Sequence, residues 1–203
     1  MSFMGLENHL KFPDVREENS RYSYVCGHCN RTVSGFVVAT YDDMSYSGIK
    51  WLLCTNCGCG SVVSRDNTIY PGEMFGPEIE GLPENIGKAY KEARLCMSVN
   101  AFTACELISR TILMYVAVEK GAKERDTFAN YITFLSEKGY ITPPMVKWVA
   151  LIKEHGGKAA HIIEPPDRTR AECTLMFTAE MLRLVYEMEH IAEKFIPKTR
   201  GKQ

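Results

Sequence analysis

The chain has 203 residues, of which 45% are hydrophobic and 24% charged, and this composition excludes a wholly disordered protein. Lys plus Arg number 24 against 25 for Asp plus Glu, so no global charge favours nucleic acid or a membrane surface as a partner. The unusual feature is the presence of eight cysteines. Disulfide frameworks belong mostly to secreted chains below about 100 residues. Residues 1–12 show no signal-peptide pattern, and no apolar run is long enough for a membrane helix. We therefore expect a cytoplasmic protein with reduced thiols and no membrane partner.

After an N-terminal extension over residues 1–20, residues 21–69 are predicted to form a small β-rich unit. Segments rich in β-branched and aromatic residues, bounded by Gly, Asn, Asp or Ser, predict four strands. They cover residues 22–25, 35–41, 49–53 and 61–64. A Cys-x-x-Cys pair follows the first strand, Cys26 with Cys29, and another follows the third, Cys54 with Cys57.

The two cysteine pairs predict a zinc ribbon. Two tight turns at hairpin tips can surround one Zn²⁺ with four thiolates at about 2.3 Å. Gly58 allows the second turn to direct its amides at sulfur. Four cysteine ligands leave no open position for water, so the predicted Zn²⁺ is structural and supplies much of the folding energy of this unit. Cys59 and His28 are close enough in sequence to replace a ligand, and they remain second choices.

Residues 70–83 contain three glycines and three prolines and are predicted to be a linker. Residues 84–196 are predicted to form an all-α bundle, followed by a basic, disordered tail over 197–203. Five helices are predicted from their boundary signals. The first begins at Pro83-Glu84, the second ends at Gly121, and Asp126 is the N-cap of the third. The fourth begins at Thr142-Pro143 and ends at Gly156-Gly157, and the fifth begins at Thr169, which has capping-box spacing to Glu172. The apolar stripe of the fifth helix is Leu184, Met188, Ile191 and Phe195.

The second of these helices is apolar nearly all round and is expected to be central and buried. Only Glu106 and Arg110 interrupt it strongly, and their spacing of four allows them to pair on one face. A buried ion pair is weak evidence for stability, so both a structural and a functional interpretation stay open. The remaining cysteines, Cys96, Cys105 and Cys173, lie among apolar residues and are assigned to packing.

A second group of polar residues surrounds the Gly156-Gly157 pair. It contains Lys153, His155, Lys158 and His161. An imidazole can carry a proton at neutral pH, and neighbouring cations can hold a phosphate. The alternative is a helix C-terminus that collects cations because of the helix dipole.

These pieces together resemble the domain-of-unknown-function family number 4145, which occurs in bacterial and phage proteins, sometimes fused to restriction-type enzymes. The resemblance covers about residues 84–195, with the ribbon as a frequent companion. It rests on Tyr90-Lys-Glu-Ala93, on Ala101-Phe-Thr-Ala-Cys with Arg110, and on Trp148 to His161, where Gly-x-x-Ala-Ala-His is the most specific part. The family is similar to the HEPN superfamily, whose helical bundles serve toxin–antitoxin, CRISPR and antiviral systems.

The resemblance implies a fold and two functions. Active HEPN ribonucleases carry Arg-x4-6-His, but the family's Arg-x-x-Gly-Asn reads Lys153-Glu-His-Gly-Gly157 here, and lysine lacks the planar fork of arginine. Lys153 is also one step too far from His161, and His155, five residues before His161, substitutes only in part. We therefore assign no residue a catalytic role and keep His161, His155 and Lys153 as candidates.

The implied protein is an α+β chain, a zinc ribbon followed by a HEPN-like bundle, that forms a homodimer across the face bearing the histidine loop. It would act as a non-catalytic module of bacterial or phage conflict that binds nucleic acid, nucleotide or a partner protein. Its functional face would contain Glu106, Arg110, Lys153, His155, Lys158 and His161. The alternative is a metal-independent endoribonuclease that uses His161 with Lys153 or Lys158.

Overall fold

The structure, a computed structural model, describes residues 15–17, 20–41, 48–158 and 165–196, with the backbone alone over 15–17 and 153–158. The chain divides into two compact units, Met1–Met74 and Phe75–Gln203. Strands occupy the first unit and helices the second, which makes the protein α+β as predicted. The predicted tail over 197–203 lies outside the described residues.

An antiparallel sheet forms the first unit. Its described strands are β1 (Val15–Glu17), β2 (Arg21–Val25), β3 (Thr32–Tyr41), β4 (Ile49–Leu53), β5 (Gly60–Val63) and β6 (Ile69–Tyr70). The order is β1-β3-β4-β5-β6, and β2 also pairs with β3. β3 is ten residues long, so β2 pairs with its first half and β1 pairs with its end. The sequence did not predict β1 or β6, which are only three and two residues long.

The core of the first unit lies on one face of this sheet. β3 alternates between exposed and buried residues, so that Val33 and Val37 contact Leu52 and Val63. The first cysteine of each pair, Cys26 or Cys54, belongs to the same small core. Few apolar side chains among the described residues of this unit are buried, and cores this small often need a metal or another cross-link for stability.

Helices form the second unit. They are α1 (Glu84–Ser98), α2 (Phe102–Glu119), α3 (Phe128–Glu137), α4 (Val146–Lys158), α5 (Arg168–Leu182) and α6 (Met188–Phe195). A 3₁₀ turn, Pro143–Met145, leads into α4, and a π-helical turn, Arg183–Glu187, joins α5 to α6. The predicted fifth helix is therefore α5, the π turn and α6 together.

α2 packs against α1, α3 and α5 and is central, as its apolar sequence predicted. Leu113, Val116 and Ala117 are fully buried in the core. Cys105 is also fully buried there, and burial raises the pKa of its thiol to about 12. Cys96 packs against this core while partly exposed, and Cys173 is half-buried.

Two predicted helix starts are wrong by one or two residues. The N-cap of α3 is Thr127, whose side chain accepts a hydrogen bond from the Asn130 amide, and not Asp126. The N-cap of α5 is Asp167, which accepts from the Arg170 amide at 2.8 Å, so Thr169 lies inside the first turn. The N-cap lies one residue after the predicted one in α3 and two residues before it in α5. Both neighbouring residues are of types that serve as N-caps, so the residue type alone does not identify the cap.

The predicted end of α4 at Gly156-Gly157 is also wrong. The helix continues through both glycines to Lys158. Glycine within a helix costs about 1 kcal/mol relative to alanine, which weakens a helix without ending it.

The apolar stripe of the last helix is exposed, although an apolar stripe normally faces the core. Val185 and Tyr186 are buried instead, while Met188 and Phe195 are 61% and 80% exposed. A π turn holds one residue more than an α turn, so it rotates the following residues by about 100° around the helix axis. The sequence pattern does not reveal this insertion.

Candidate metal centre

The four cysteines of the two Cys-x-x-Cys pairs come together in the first unit. Their sulfur atoms all lie within 4.8 Å of one another. The Sγ atoms of Cys26 and Cys57 are 3.8 Å apart, as are those of Cys29 and Cys54. Sulfurs at the corners of a tetrahedron with 2.3 Å bonds to a central Zn²⁺ are also about 3.8 Å apart, whereas a disulfide requires about 2.05 Å. The group could therefore hold a metal ion and is consistent with zinc.

The two turns that carry these cysteines have the same backbone hydrogen bonds. We call residues 26–31 and 54–59 the two knuckles; the first joins β2 to β3 and the second joins β4 to β5. In each knuckle the carbonyl of the first cysteine accepts from the amide four residues on, Asn30 or Gly58. These two residues have positive φ angles, 54° and 72°, which Asn and Gly adopt more readily than other residues.

The equivalence of the knuckles explains why Cys59 lies outside the sulfur group. Cys59 occupies the position of Arg31, and each of these residues accepts the amide of the first cysteine through its carbonyl at 3.0 Å. The Cys59 thiol faces the carbonyl of Cys57 at 3.9 Å. His28 is also directed elsewhere, since its Nε2 donates to the Gly60 carbonyl at 3.0 Å. Of the ligand sets that the sequence left open, the described residues favour four cysteines.

Backbone amides point at the sulfurs and alter their acidity. Burial would raise the pKa of Cys54, but hydrogen bonds from the Cys57 and Asn56 amides, at 3.5 and 3.4 Å, outweigh it and leave the pKa at about 7. The pKa of Cys29 is lowered, chiefly by the Asn56 side chain.

The other two thiols are harder to ionise. Burial raises the pKa of Cys26. The Cys59 amide would lower the pKa of Cys57, but burial and the neighbouring thiols outweigh it and raise the pKa to about 12. Full deprotonation of the group therefore requires a cation among the sulfurs, which is the role of a bound metal.

Gly27 permits a close approach to the first knuckle. A Cβ at this position would lie 2.2 Å from the Gly72 carbonyl oxygen and 2.4 Å from that of Pro71. Gly27→Ala must therefore displace the knuckle or the 71–72 segment, and we expect metal release to a chromogenic chelator to accelerate on the order of tenfold. Gly60→Ala is the matched control, because its Cβ would meet nothing closer than 3.8 Å. Equal release rates for the two variants would contradict this prediction.

A second polar group lies in the helical unit around Glu106. Arg170 Nη2 donates to Glu106 Oε1 at 2.9 Å, and Arg170 Nε forms an ion-pair contact with Oε2 at 2.9 Å. The predicted partner Arg110 is also present, but its Nη1 is 3.8 Å from Oε1. The Glu106 side chain is only 8% exposed. The sequence analysis did not predict Arg170 as a partner. A carboxylate on an apolar helix indicates that a cation lies nearby, but no sequence pattern identifies a partner 64 positions away.

The contacts around Glu106 involve three helices of the unit. The Arg110 guanidinium also lies over the Phe128 ring, 4.3 Å from its centroid, which joins α2 to α3. The Glu106 carboxylate lies between two guanidinium groups and contacts both of them. The group therefore joins the start of α5 to α2 and α3.

The predicted functional face, Glu106 and Arg110 included, remains a prediction. Lys153, His155 and Lys158 lie on the last turns of α4. His161 lies outside the described residues. None of the helices in the described part of the chain is long and apolar enough to cross a lipid bilayer.

The fold and the sulfur group define an α+β protein with a candidate metal centre. The family described as "Domain of unknown function (DUF4145)" matches residues 91–198, more than half of the chain. The chain belongs to this family. The match lies within Phe75–Gln203, and the four cysteines precede it. No curated protein and no solved structure matches the chain.

Proposed function

We propose that this protein is a cytoplasmic, non-catalytic interaction module in which a structural Zn²⁺ holds an N-terminal ribbon together and a HEPN-like bundle binds a partner. The observation that carries the proposal is the closed group of four sulfurs. Two 3.8 Å separations match a tetrahedral zinc site, and four protein ligands leave no coordination position for water or substrate. Such a site stabilises a fold and does not activate a water molecule.

The helical unit also supports a role in binding. Glu106, the one acidic residue on α2 that the sequence placed on the functional face, is engaged by two arginines. The arginine that active HEPN ribonucleases use corresponds to Lys153, which cannot grip a phosphate in the bidentate manner of arginine. A module that binds without catalysis needs no chemical step from the Glu106 carboxylate or from Lys153.

The partner that we propose belongs to bacterial or phage conflict and is a nucleic acid, a nucleotide or a protein. Lys153, His155, Lys158 and His161 are close together in sequence, and their cationic side chains would attract phosphate locally in a chain without global positive charge. Family resemblance adds the expectation of a homodimer. His161 and Lys158 would then contact the ligand.

The test uses zinc-loaded protein with single-stranded and hairpin RNA in buffer without added divalent cations. We expect binding by fluorescence anisotropy, no cleavage on a denaturing gel, and binding weakened on the order of tenfold by Lys158→Ala. Lys147→Ala, on the exposed surface of α4, is the matched control and should bind as the wild type does. Cleavage that disappears in His161→Ala would replace the module by the endoribonuclease. Unchanged binding in both Lys158→Ala and His161→Ala would exclude the proposed face.

A further inference from the structure

Two hydrogen bonds outside the sulfur group connect the two knuckles to each other. His28 Nε2 donates to the Gly60 carbonyl oxygen at 3.0 Å. Arg31 Nη1 donates to Asn56 Oδ1 at 3.3 Å. Each bond joins the first knuckle to the second knuckle or to the residue that follows it, across 32 and 25 positions of the chain. We call these four residues the clasp.

The clasp is reciprocal. His28 and Asn56 occupy the same position in their knuckles, because each directly precedes the second cysteine of its pair. His28 reaches the end of the second knuckle, and Asn56 is reached from Arg31 at the end of the first. Equivalent positions therefore make equivalent crossings with different chemical groups, which indicates that the crossing belongs to the geometry of the site.

Arg31 also determines which end of the Asn56 amide faces the sulfurs. Because Oδ1 accepts from Arg31, the Nδ2 group is left as the donor. The Asn56 side chain forms a hydrogen bond with Cys29, and this contact is the chief cause of the lowered pKa of that thiol. The backbone amide of Asn56 lies 3.4 Å from the Sγ of Cys54. Asn56 thus connects Arg31 to one sulfur of each pair.

The clasp lies beside the more accessible sulfurs. Cys26 and Cys54 are buried, whereas Cys29 is half-buried and Cys57 is exposed. The clasp residues His28 and Asn56 directly precede these two accessible cysteines. A chelator that removes the metal attacks from the accessible side, and the two knuckles must separate there for the sulfurs to release it. Bonds that oppose this separation slow the loss of metal.

We propose that the clasp controls how fast the four-cysteine centre loses its metal, with His28, Arg31 and Asn56 as positioning residues that do not bind the ion. This inference rests on the structural Zn²⁺ of the proposed function and assigns the residues that regulate its retention. Each exposed hydrogen bond is expected to slow release about threefold, and the two together about tenfold.

The test follows zinc transfer from the full-length, zinc-loaded chain to an excess of a chromogenic chelator. We expect release about threefold faster than in the wild type for His28→Ala and for Arg31→Ala. Thr55→Ala is the matched control, because Thr55 is exposed on the second knuckle and takes part in neither bond, and it should release zinc at the wild-type rate. His28→Gln should restore slow release, since its side-chain amide can donate to the Gly60 carbonyl.

A double-mutant cycle attributes the effects to the individual bonds. Arg31→Ala combined with Asn56→Ala should release zinc no faster than Asn56→Ala alone, because both substitutions remove the same bond. Arg31→Ala combined with His28→Ala should multiply the two single effects to about tenfold, because these substitutions remove different bonds.

Zinc content, measured before the chelator is added, separates the clasp from the metal centre itself. A wild type that binds no zinc would overturn both proposals. Zinc-loaded His28→Ala and Arg31→Ala variants that release at the wild-type rate would overturn the clasp and leave the four-cysteine centre intact. Release from His28→Gln as fast as from His28→Ala would overturn the role of the His28 hydrogen bond. Independent effects of Arg31→Ala and Asn56→Ala would overturn the role of the Arg31–Asn56 bond.

Discussion

Cys54→Ser is expected to abolish metal binding and unfold the first unit. Cys54 contributes one of the four clustered sulfurs and is itself buried in the small core of that unit. Structural Zn²⁺ contributes about 10–16 kcal/mol of apparent binding free energy in zinc-finger peptides, more than such a core can replace. Metal analysis by mass spectrometry and limited proteolysis measure the effect: the variant should lose its zinc, and residues 20–74 should become sensitive to protease.

Cys59→Ser is the matched control for this experiment. Cys59 lies two residues beyond the second ligand, and its carbonyl, which serine retains, closes the second knuckle. The thiol itself lies outside the four-sulfur group. We expect Cys59→Ser to keep its zinc and its protease resistance. Loss of metal from Cys59→Ser together with retention in Cys54→Ser would show that the ligand set is wrong.

Glu106→Gln is expected to cause the largest loss of stability in the helical unit. The substitution removes the charge that compensates Arg170 and Arg110, whose side chains are only 15% and 21% exposed. Breaking one partner of a buried pair costs about 3–5 kcal/mol, and the residual exposure of the arginines reduces the expected loss to about 2–4 kcal/mol. Urea unfolding followed at 222 nm, where helices dominate the signal, measures the free energy of unfolding.

Two further variants identify the cause of that loss. Glu84→Gln breaks the exposed pair with Lys88, whose side chains are 83% and 75% exposed, and should leave the unfolding midpoint unchanged. Glu106→Leu combined with Arg170→Met replaces the charges by apolar groups and should regain most of the stability. An effect of Glu106→Gln no larger than that of Glu84→Gln would contradict a structural role for the Glu106 group.

The candidate metal centre was largely predictable because its information is local. Two Cys-x-x-Cys turns determine their own geometry, and the order of strands around them follows from short antiparallel connections. The choice between Cys57 and Cys59 as the second ligand of the second turn was not local, because both are close enough to Cys54 in sequence to supply a sulfur. It depends on the equivalence of Cys59 with Arg31, which becomes apparent only when the hydrogen bonds of the two knuckles are compared.

The helical unit shows where sequence patterns fail. Hydrophobic spacing predicted the five helical segments, but the side that α6 turns to solvent depends on the π turn over Arg183–Glu187, which leaves no signal in composition. Likewise, Glu106 on an apolar helix predicts a buried charge, but its main partner, Arg170, lies on a helix far along the chain. Contacts of this kind are set by packing and not by spacing.

X-ray absorption spectroscopy at the zinc edge, with metal analysis of freshly purified protein, tests the four-cysteine centre most directly. We predict about one zinc per chain with four sulfur neighbours at about 2.3 Å and no nitrogen neighbour. This result would also separate Cys26, Cys29, Cys54 and Cys57 from a set in which His28 replaces one of them. Protein without bound metal, or zinc with a nitrogen ligand, would contradict the account.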